Sequence, residues 1–421
     1  MVERRKPIPV SEAVKRVMNY PKQGEVEFVS LQDSDNRYLG HDLAAAHDVP
    51  PFDRSPYDGF AVRAEDTSEA SANSPIALEV IEEIGAGAVP KYEVKKGQAT
   101  RIMTGAILPK GADAVVMLEL VKEVNRDKKD FIQLKRSFQS GDNISFQGED
   151  VKKGTPLVKK GTKITPGVKA LLATFGYAKV PVVKKPVIGI YATGTELLDV
   201  NEPLQSGKIR NSNSFMIEAQ IKRAGAIPKY FGKLADDFEP CYEAIKEALE
   251  EVDFLITTGG VSVGDFDYLP AIYKKLHAEV LFNKVAMRPG SVTTVAVLGE
   301  KVLFGLSGNP SACYVGFELF VRPLIKSYLL SEKAHLLKAN AVLKSDFLKP
   351  NPFTRFVRSA VLIEEGKLVV NPTGLDKSNV VTSLAEANSL IMLPGGTRGF
   401  EKGSAVEVLL LEEEGSRSTW E

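Results

Sequence analysis

Apolar and polar positions along this chain follow two different periods, and the change from one to the other divides it. Between Lys185 and about residue 330, short and nearly all-apolar runs (VIGIYAT at 187–193, FLITT at 254–258, VLFGL at 302–306) alternate with longer stretches. In those stretches, at 213–223, 239–251 and 311–327, apolar residues recur every three or four positions. The short runs predict strands buried on both faces and the longer ones amphipathic helices. Further strands are expected at 228–234, 280–285 and 292–297. Strands alternating with helices predict a doubly wound, mostly parallel sheet with helices on both sides.

Elsewhere the helical period is scarce. It is present at Ala13, Val14, Val17 and Met18, within a stretch 10–30 read as helical, and again at 168–175 before Gly176. Residues 47–150 read as short strands and turns, and the text after about 335 returns to strands alone, as in a small β-barrel or sandwich. The chain is therefore expected to be multidomain, α/β plus β, with four parts. Residues 1–46 pair with 151–184 as a discontinuous domain, because neither piece has an obvious core alone; 47–150 is mostly β, 185–330 is α/β and 331–421 is the C-terminal barrel. A length of 421 residues suits several cores rather than one.

Composition removes several function classes. Lysine plus arginine and aspartate plus glutamate both number 54, so no basic face is implied and neither nucleic acid nor a membrane surface is an expected partner. No apolar run approaches a membrane span, and the first residues, MVERRKPIPV, lack the core of a secretion signal. Cys241 and Cys313 stand 72 positions apart and the four histidines are scattered at 41, 47, 277 and 335. A disulfide framework, a cysteine metal site and a histidine-centred triad are all hard to assemble from these. A cytoplasmic protein working with carboxylates and hydroxyls fits best.

Two turns concentrate the candidate chemistry. The run 254–258 empties into Gly259-Gly260 and a loop of small residues with Ser262, then Asp265 and Asp267 before a helical pattern. Paired glycines let a ligand approach bare backbone, and the following helix directs its first N–H groups into the same crevice. The run 302–306 leads to Ser307-Gly308-Asn309-Pro310-Ser311, where Pro310 suits a first helical turn. Gly259, Gly260, Ser262, Gly308, Asn309 and Ser311 are thus candidates to bind substrate or an oxyanion at the carboxyl ends of parallel strands. Lys284 and Arg288, four apart beside a Pro-Gly turn, would supply positive charge, the arginine with a fork able to hold two oxygens. A tight turn with an aspartate cap, or a pair of surface ion-pair residues, is the plainer alternative for each.

The motifs also point to a family. FDRSPYDGFAVR (52–63), RIMTGAILPKGADAVVMLE (101–119), GDNISFQGED (141–150), IYATGTEL (190–197) and GKIRNSNS (207–214) come first. LADD (234–237), TTGGVSVGDFDY (257–268), FNKVAMRPG (282–290), LSGNPSA (306–312) and SLAEANSLIMLPGG (383–396) follow. In this order, and along essentially its whole length, the chain resembles the MoeA family of molybdopterin molybdenumtransferases, to which the gephyrin E domain is similar. The resemblance implies four domains, a homodimer, and insertion of molybdenum from molybdate into adenylylated molybdopterin with Mg²⁺ and release of AMP. The preceding adenylyltransferase and acceptor molybdoenzymes are further partners it suggests.

Carried onto this chain residue by residue, the resemblance implies that Glu196, Asp236 and Asp267, each after a strand, hold the metal or a water. Asp58, Thr104 and Asp150 complete the pocket from the partner subunit, Thr104 as a hydroxyl donor to the pterin or a phosphate; the Asp58 carboxylate stands in a YDG that would otherwise read as a plain turn. In the C-terminal region Arg358 and Ser383 are further candidates to help hold an oxyanion, with an ordinary barrel-surface position as the competing explanation. Two departures stand out: Ser145-Phe146-Gln147 replaces a basic run common before GED, and LSGNP replaces LPGNP, adding Ser307. Two other functions fit the same text: a related molybdopterin adenylyltransferase, and a scaffold that grips a partner's peptide in a groove between the α/β and C-terminal domains.

Overall fold

Six strands form the sheet expected between residues 185 and 330: β1 (Val187–Thr193), β2 (Ile227–Leu234), β3 (Phe254–Thr258), β4 (Glu279–Phe282), β5 (Thr294–Leu298) and β6 (Lys301–Leu306). They are seen in a computed structural model that describes residues 6–20, 22–234, 237–260 and 268–411. The strand order is β2-β1-β3-β6-β5-β4. The first four are parallel, and β5 and β4 close the far edge antiparallel.

The all-apolar runs are explained by burial on both faces. Phe254 and Ile256 of β3 join Ile190 and Phe304 in one core, while the alternate residue Leu255 joins Leu303 in another. Helices α3 (Asn213–Ala224) and α6 (Pro310–Gly316) with α7 (Arg322–Tyr328) cover the first face through Ile217, Ile221, Val315 and Leu324. Helices α4 (Phe238–Glu251) and α5 (Leu269–Lys275) cover the second through Ile245, Leu249 and Ile272.

Three expectations need correction. The helix expected across 311–327 is interrupted by a π-helical segment, Phe317–Val321, between α6 and α7. Pro323 has no N–H to donate to residue 319, and the widened turn lies just before it. The helical stretch 10–30 ends as α1 (Val10–Met18), the one expected at 168–175 is α2 (Pro166–Thr174), and Val26–Ser30 is a strand paired antiparallel with Lys179–Val183. The strands expected to reach 285 and to begin at 292 are cut back to Phe282 and Thr294. Between them Met287–Arg288 leaves the sheet and pairs in parallel with Thr354 and Arg355 of the C-terminal region.

That region is a closed barrel of five strands: β7 (Leu337–Leu343), β8 (Thr354–Glu364), β9 (Lys367–Pro372), β10 (Ser389–Leu393) and β11 (Ala405–Leu410). Closure runs β8-β9-β7-β11-β10 and back to β8, around Val357, Val370, Ile391 and Val408. Closing the ring leaves no free edge for another chain to pair with.

Sheet and barrel belong to one compact unit, Met1–His41 with Lys160–Lys169 and Ala178–Glu421; the other is Asp42–Lys159 with Ala170–Tyr177. The second unit carries a six-stranded sheet in the order 114–117, 59–62, 98–102, 76–84, 129–134, 121–126. Its alternating residues also divide between two faces, Phe60, Val62 and Val116 on one and Ala61, Ile102 and Val115 on the other. Among the described residues no helix is long and apolar enough to cross a membrane.

Candidate active site

Three parallel strands end in one crevice of the first unit. Thr193 closes β1 and donates its hydroxyl to the carbonyl of Thr258, the last residue of β3. The next residue, Gly259, has φ +95° and donates its N–H to the carbonyl of Leu306, the last residue of β6. A Cβ at Gly259 would lie 2.5 Å from the Thr193 hydroxyl, so both the backbone angle and the packing demand glycine. Gly308 faces it, its own ideal Cβ position 3.6 Å from the Gly259 Cα. The two glycine turns singled out in the sequence are thus neighbours. Gly260, at φ +65°, continues the first of them.

The Ser307-Gly308-Asn309 turn is tied in on all sides. The Asn213 side chain, at the start of α3, donates to the Gly308 carbonyl at 2.8 Å. The Asn309 N–H is donated to the Ser307 hydroxyl at 3.2 Å, and the Asn309 carbonyl accepts the Cys313 N–H, opening α6. Glu196, on the loop after β1, is exposed. Its carboxylate folds over Gly194, where a Cβ would approach it to 2.3 Å. The loop is held by the Ile209 N–H on the Glu196 carbonyl and by the Lys208 ammonium on the Thr195 carbonyl. Asp236, Ser262, Asp265 and Asp267 lie outside the described residues. Among the described residues no three His, Cys, Asp or Glu side chains gather as a metal site would require, and Glu196 alone represents the expected metal ligands there.

A polar cleft of about 470 Å³ lies where the segment 288–291 meets residues 376–379 of the barrel region. Arg288, Arg355, Asp376 and Lys377 bring the charge. Asp376 is occupied: it pairs with Arg355 at 2.7 Å and with Arg358 at 3.0 Å. Neither Arg288 nor Lys377 has an ion-pair partner among the described residues, so the cleft keeps two uncommitted cations. This is an oxyanion's environment. Lys377 was not singled out in the sequence; DKSN reads as a plain polar loop, and only the fold brings it opposite Arg288. Lys284 is partly buried, bonded through its carbonyl to the Ile8 N–H, and does not line the cleft.

Arg358, Ser383 and Ser311 have internal work. Arg358 is 1 % exposed, which removes the barrel-surface alternative. It donates to the Ser383 hydroxyl, to Asp376 and to the carbonyls of Leu375 and Lys377. Ser311 donates its hydroxyl to the Val380 carbonyl at 2.6 Å and its N–H to the Ser378 carbonyl. These three shape the wall of the cleft from behind, and the Ser311 donors are spent on the barrel loop rather than left for a ligand.

In the second unit, Asp58 and Thr104 meet. One Asp58 oxygen, Oδ1, accepts the Thr104 N–H at 2.6 Å and the Thr104 hydroxyl at 2.7 Å. These two bonds, the backbone one foremost, hold the Asp58 carboxyl below its ordinary value, and the Arg101 charge adds to them. Oδ2 has no partner among the described residues. The Thr104 hydroxyl, expected as a donor to substrate, gives its proton to Asp58 instead and is left as an acceptor. Asp150 is exposed on a separate turn, bonded through its N–H to the Val49 carbonyl. In the run that lacks the basic residues, Gln147 bonds Asp48 through its side chain.

Comparison with known proteins agrees with this architecture. Residues 8–176 match the family description of the MoeA N-terminal region (domains I and II), 189–327 that of a probable molybdopterin-binding domain, and 340–411 that of the MoeA C-terminal region (domain IV). A molybdopterin molybdenumtransferase of Bacillus subtilis (strain 168) is 64 % identical over 421 residues, covering 100 % of this chain and 98 % of that protein. One of Staphylococcus aureus (strain COL) is 49 % identical over 414 residues, 98 % of each. Two crystal structures of the Pyrococcus horikoshii molybdopterin biosynthesis MoeA protein superpose with TM-scores of 0.85 and 0.82 at 32 % and 33 % identity. They cover 97 % and 96 % of this chain and all of the other.

Proposed function

The chain belongs to the MoeA family, and we propose that it transfers molybdenum from molybdate to adenylylated molybdopterin, releasing AMP. Its place is in molybdenum cofactor biosynthesis, as a transferase acting on molybdopterin. The observation that carries the finer reading is the cleft at 288–291 and 376–379, where Arg288 and Lys377 are uncommitted. Molybdate is a dianion and the adenylylated substrate carries phosphates. Bringing them together needs fixed positive charge or backbone donors at a wall that does not itself move.

Arg288 and Lys377 hold the oxyanion in this reading, against a wall that Arg355, Arg358 and Ser311 keep in shape. Gly259 and Gly308 leave backbone open to the rest of the substrate. For the magnesium ion the donor set fits in kind: Glu196 offers an exposed carboxylate after β1, and Asp236 and Asp267 follow β2 and β3, the strands flanking it. Mg²⁺ on these oxygens would neutralise charge on the phosphoanhydride. Neither cysteine is placed as a nucleophile: Cys313 is fully buried with its thiol pushed up by burial, and Cys241 is buried too.

The proposal includes a homodimer in which Asp58, Thr104 and Asp150 serve the partner's pocket. Thr104 then accepts a hydrogen bond from the substrate, while the free oxygen of Asp58 accepts another. The chain should work in the cytoplasm. The direct experiment incubates the purified chain with adenylylated molybdopterin, molybdate and Mg²⁺ and follows AMP and active cofactor. Magnesium- and molybdate-dependent AMP release is expected; its absence overturns the reading. The dimeric site has its own test. Co-expressed Asp58→Ala and Glu196→Ala chains should recover about a quarter of wild-type activity, since about half of randomly paired dimers keep one intact site. Inactive mixed dimers, isolated with two tags, would place both residues in one chain's pocket.

A further inference from the structure

Asn213 stands outside every role assigned so far, yet it joins the two loops that matter most. It is the first residue of α3 and is 7 % exposed. It does not cap its own helix: that is done by Asn211, whose Oδ1 accepts the Ser214 N–H and whose Nδ2 reaches Ser214 and Tyr230. The Asn213 side chain instead crosses to the turn after β6 and donates to the Gly308 carbonyl. Its other end, Oδ1, is buried and has no donor among the described residues. Flipping the amide would not help, because Oδ1 would then face the Gly308 carbonyl, acceptor against acceptor.

A buried polar group left unpaired works against stability, so the carboxamide is poorly explained as a packing device. The Gly308 residue it serves is exposed, and water can satisfy the same carbonyl. What the bond supplies is geometry. Upstream of Asn213 the chain is pinned to the Glu196 loop by the Ile209 N–H on the Glu196 carbonyl and the Asn211 N–H on the Leu198 carbonyl. Downstream of Gly308, α6 is pinned through Ser311 to the carbonyls of Ser378, which lines the cleft, and of Val380 just beyond it. Asn213 is the link between the two.

We infer that Asn213 is a positioning residue that fixes the Ser307-Gly308-Asn309 turn, and with it the oxyanion wall, at a set place relative to the Glu196 carboxylate. The inference rests on the function proposed above. Losing the link displaces the turn without dismantling the core, and displacements of this kind cost rate out of proportion to stability. Asn213→Leu keeps the volume and removes the orphan acceptor. Its melting temperature should equal or exceed that of the wild type. Its kcat/KM for molybdate should fall about tenfold or more, chiefly through a raised KM. Asn213→Asp, isosteric but facing the carbonyl with a carboxylate, should lose at least as much.

The experiment compares both full-length variants with wild type by thermal unfolding and by AMP release across molybdate concentrations. Wild-type kcat/KM in the two variants overturns the inference. So does a melting temperature of Asn213→Leu that drops in step with its activity, or failure of both variants to fold, either of which makes Asn213 a purely structural residue. A wild-type chain that releases no AMP would instead count against the proposed function.

Discussion

Asp58 and Arg358 are both candidate site residues in the sequence, but the fold treats their charges in opposite ways. Asp58 is exposed, spends one oxygen on Thr104 and keeps the other. Arg358 is buried, and four of its five N–H groups are taken by Ser383, Asp376 and two carbonyls. The carboxylate is set up to meet something; the guanidinium is set up to hold something. A charged residue's part in chemistry is therefore read from the valences it has left. By that measure the uncommitted charge of the barrel region is on Lys377 rather than Arg358, and Lys377 is the exposed neighbour whose carbonyl Arg358 holds.

The contrast is most sharply broken at Asp376, whose carboxylate is the shared partner of Arg355 and Arg358. Asp376→Ala leaves two buried guanidinium groups without their anion and should cost about 3–5 kcal/mol of stability, the range for removing one member of a buried pair. Chemical unfolding of the full chain measures it. A loss under about 1 kcal/mol would mean that the network is not what locks the loop.

Lys326 gives a smaller effect of the same kind. It donates to the Tyr38 hydroxyl at 2.6 Å, and burial, helped by Arg322, Lys163 and Arg223, pushes its pKa down to about 8 against the pull of Glu318. The unfolded chain then binds the proton more tightly than the folded one. The charged form is penalised in full below about 8, and stability should rise as pH climbs from there towards 10.5. Lys326→Met should flatten that rise relative to wild type; parallel curves for the two chains would contradict it.

At the exposed end the effect is smallest in stability. Thr104→Ala removes one of the two bonds on Asp58 and keeps the backbone one. The Asp58 carboxyl, followed by NMR, should titrate higher than in wild type while unfolding is unchanged. Asp58→Asn should also fold normally but lose at least about tenfold in AMP release, the scale of a well-placed electrostatic group. Full activity in that variant would place the pair outside the chemistry.

Where the text of the chain was legible, local physics was enough. The runs at 187–193, 254–258 and 302–306 are apolar because both faces of their strands are covered, and the glycines at 259 and 308 stand where strand ends nearly touch. What stayed hidden depends on partners far along the chain. Val26–Ser30 is a strand only because Lys179–Val183 pairs with it. Asp376 lies in NPTGLDKSN, which carries every mark of a solvated loop, and nothing nearby announces the two arginines 18 and 21 positions before it. Ser311 resembled an oxyanion ligand until its hydroxyl was found on Val380, 69 residues away. Asn213 sat in a recognised motif without a task for the same reason.

The two-residue strand Met287–Arg288 has a consequence for anyone who cuts or exchanges parts of this protein. By sequence the border between the α/β region and the barrel falls near residue 330, yet in hydrogen bonds it is crossed forty residues earlier, where this strand is on loan to Thr354 and Arg355. A fragment ending at 330 would inherit the whole sheet and still mislay Arg288, because the ladder that orients it would be gone. A barrel grafted from another family member would, conversely, dictate where the recipient's Arg288 points. The anion affinity proposed for the cleft should therefore travel with the barrel that is supplied, although the arginine itself is encoded on the other side of the seam.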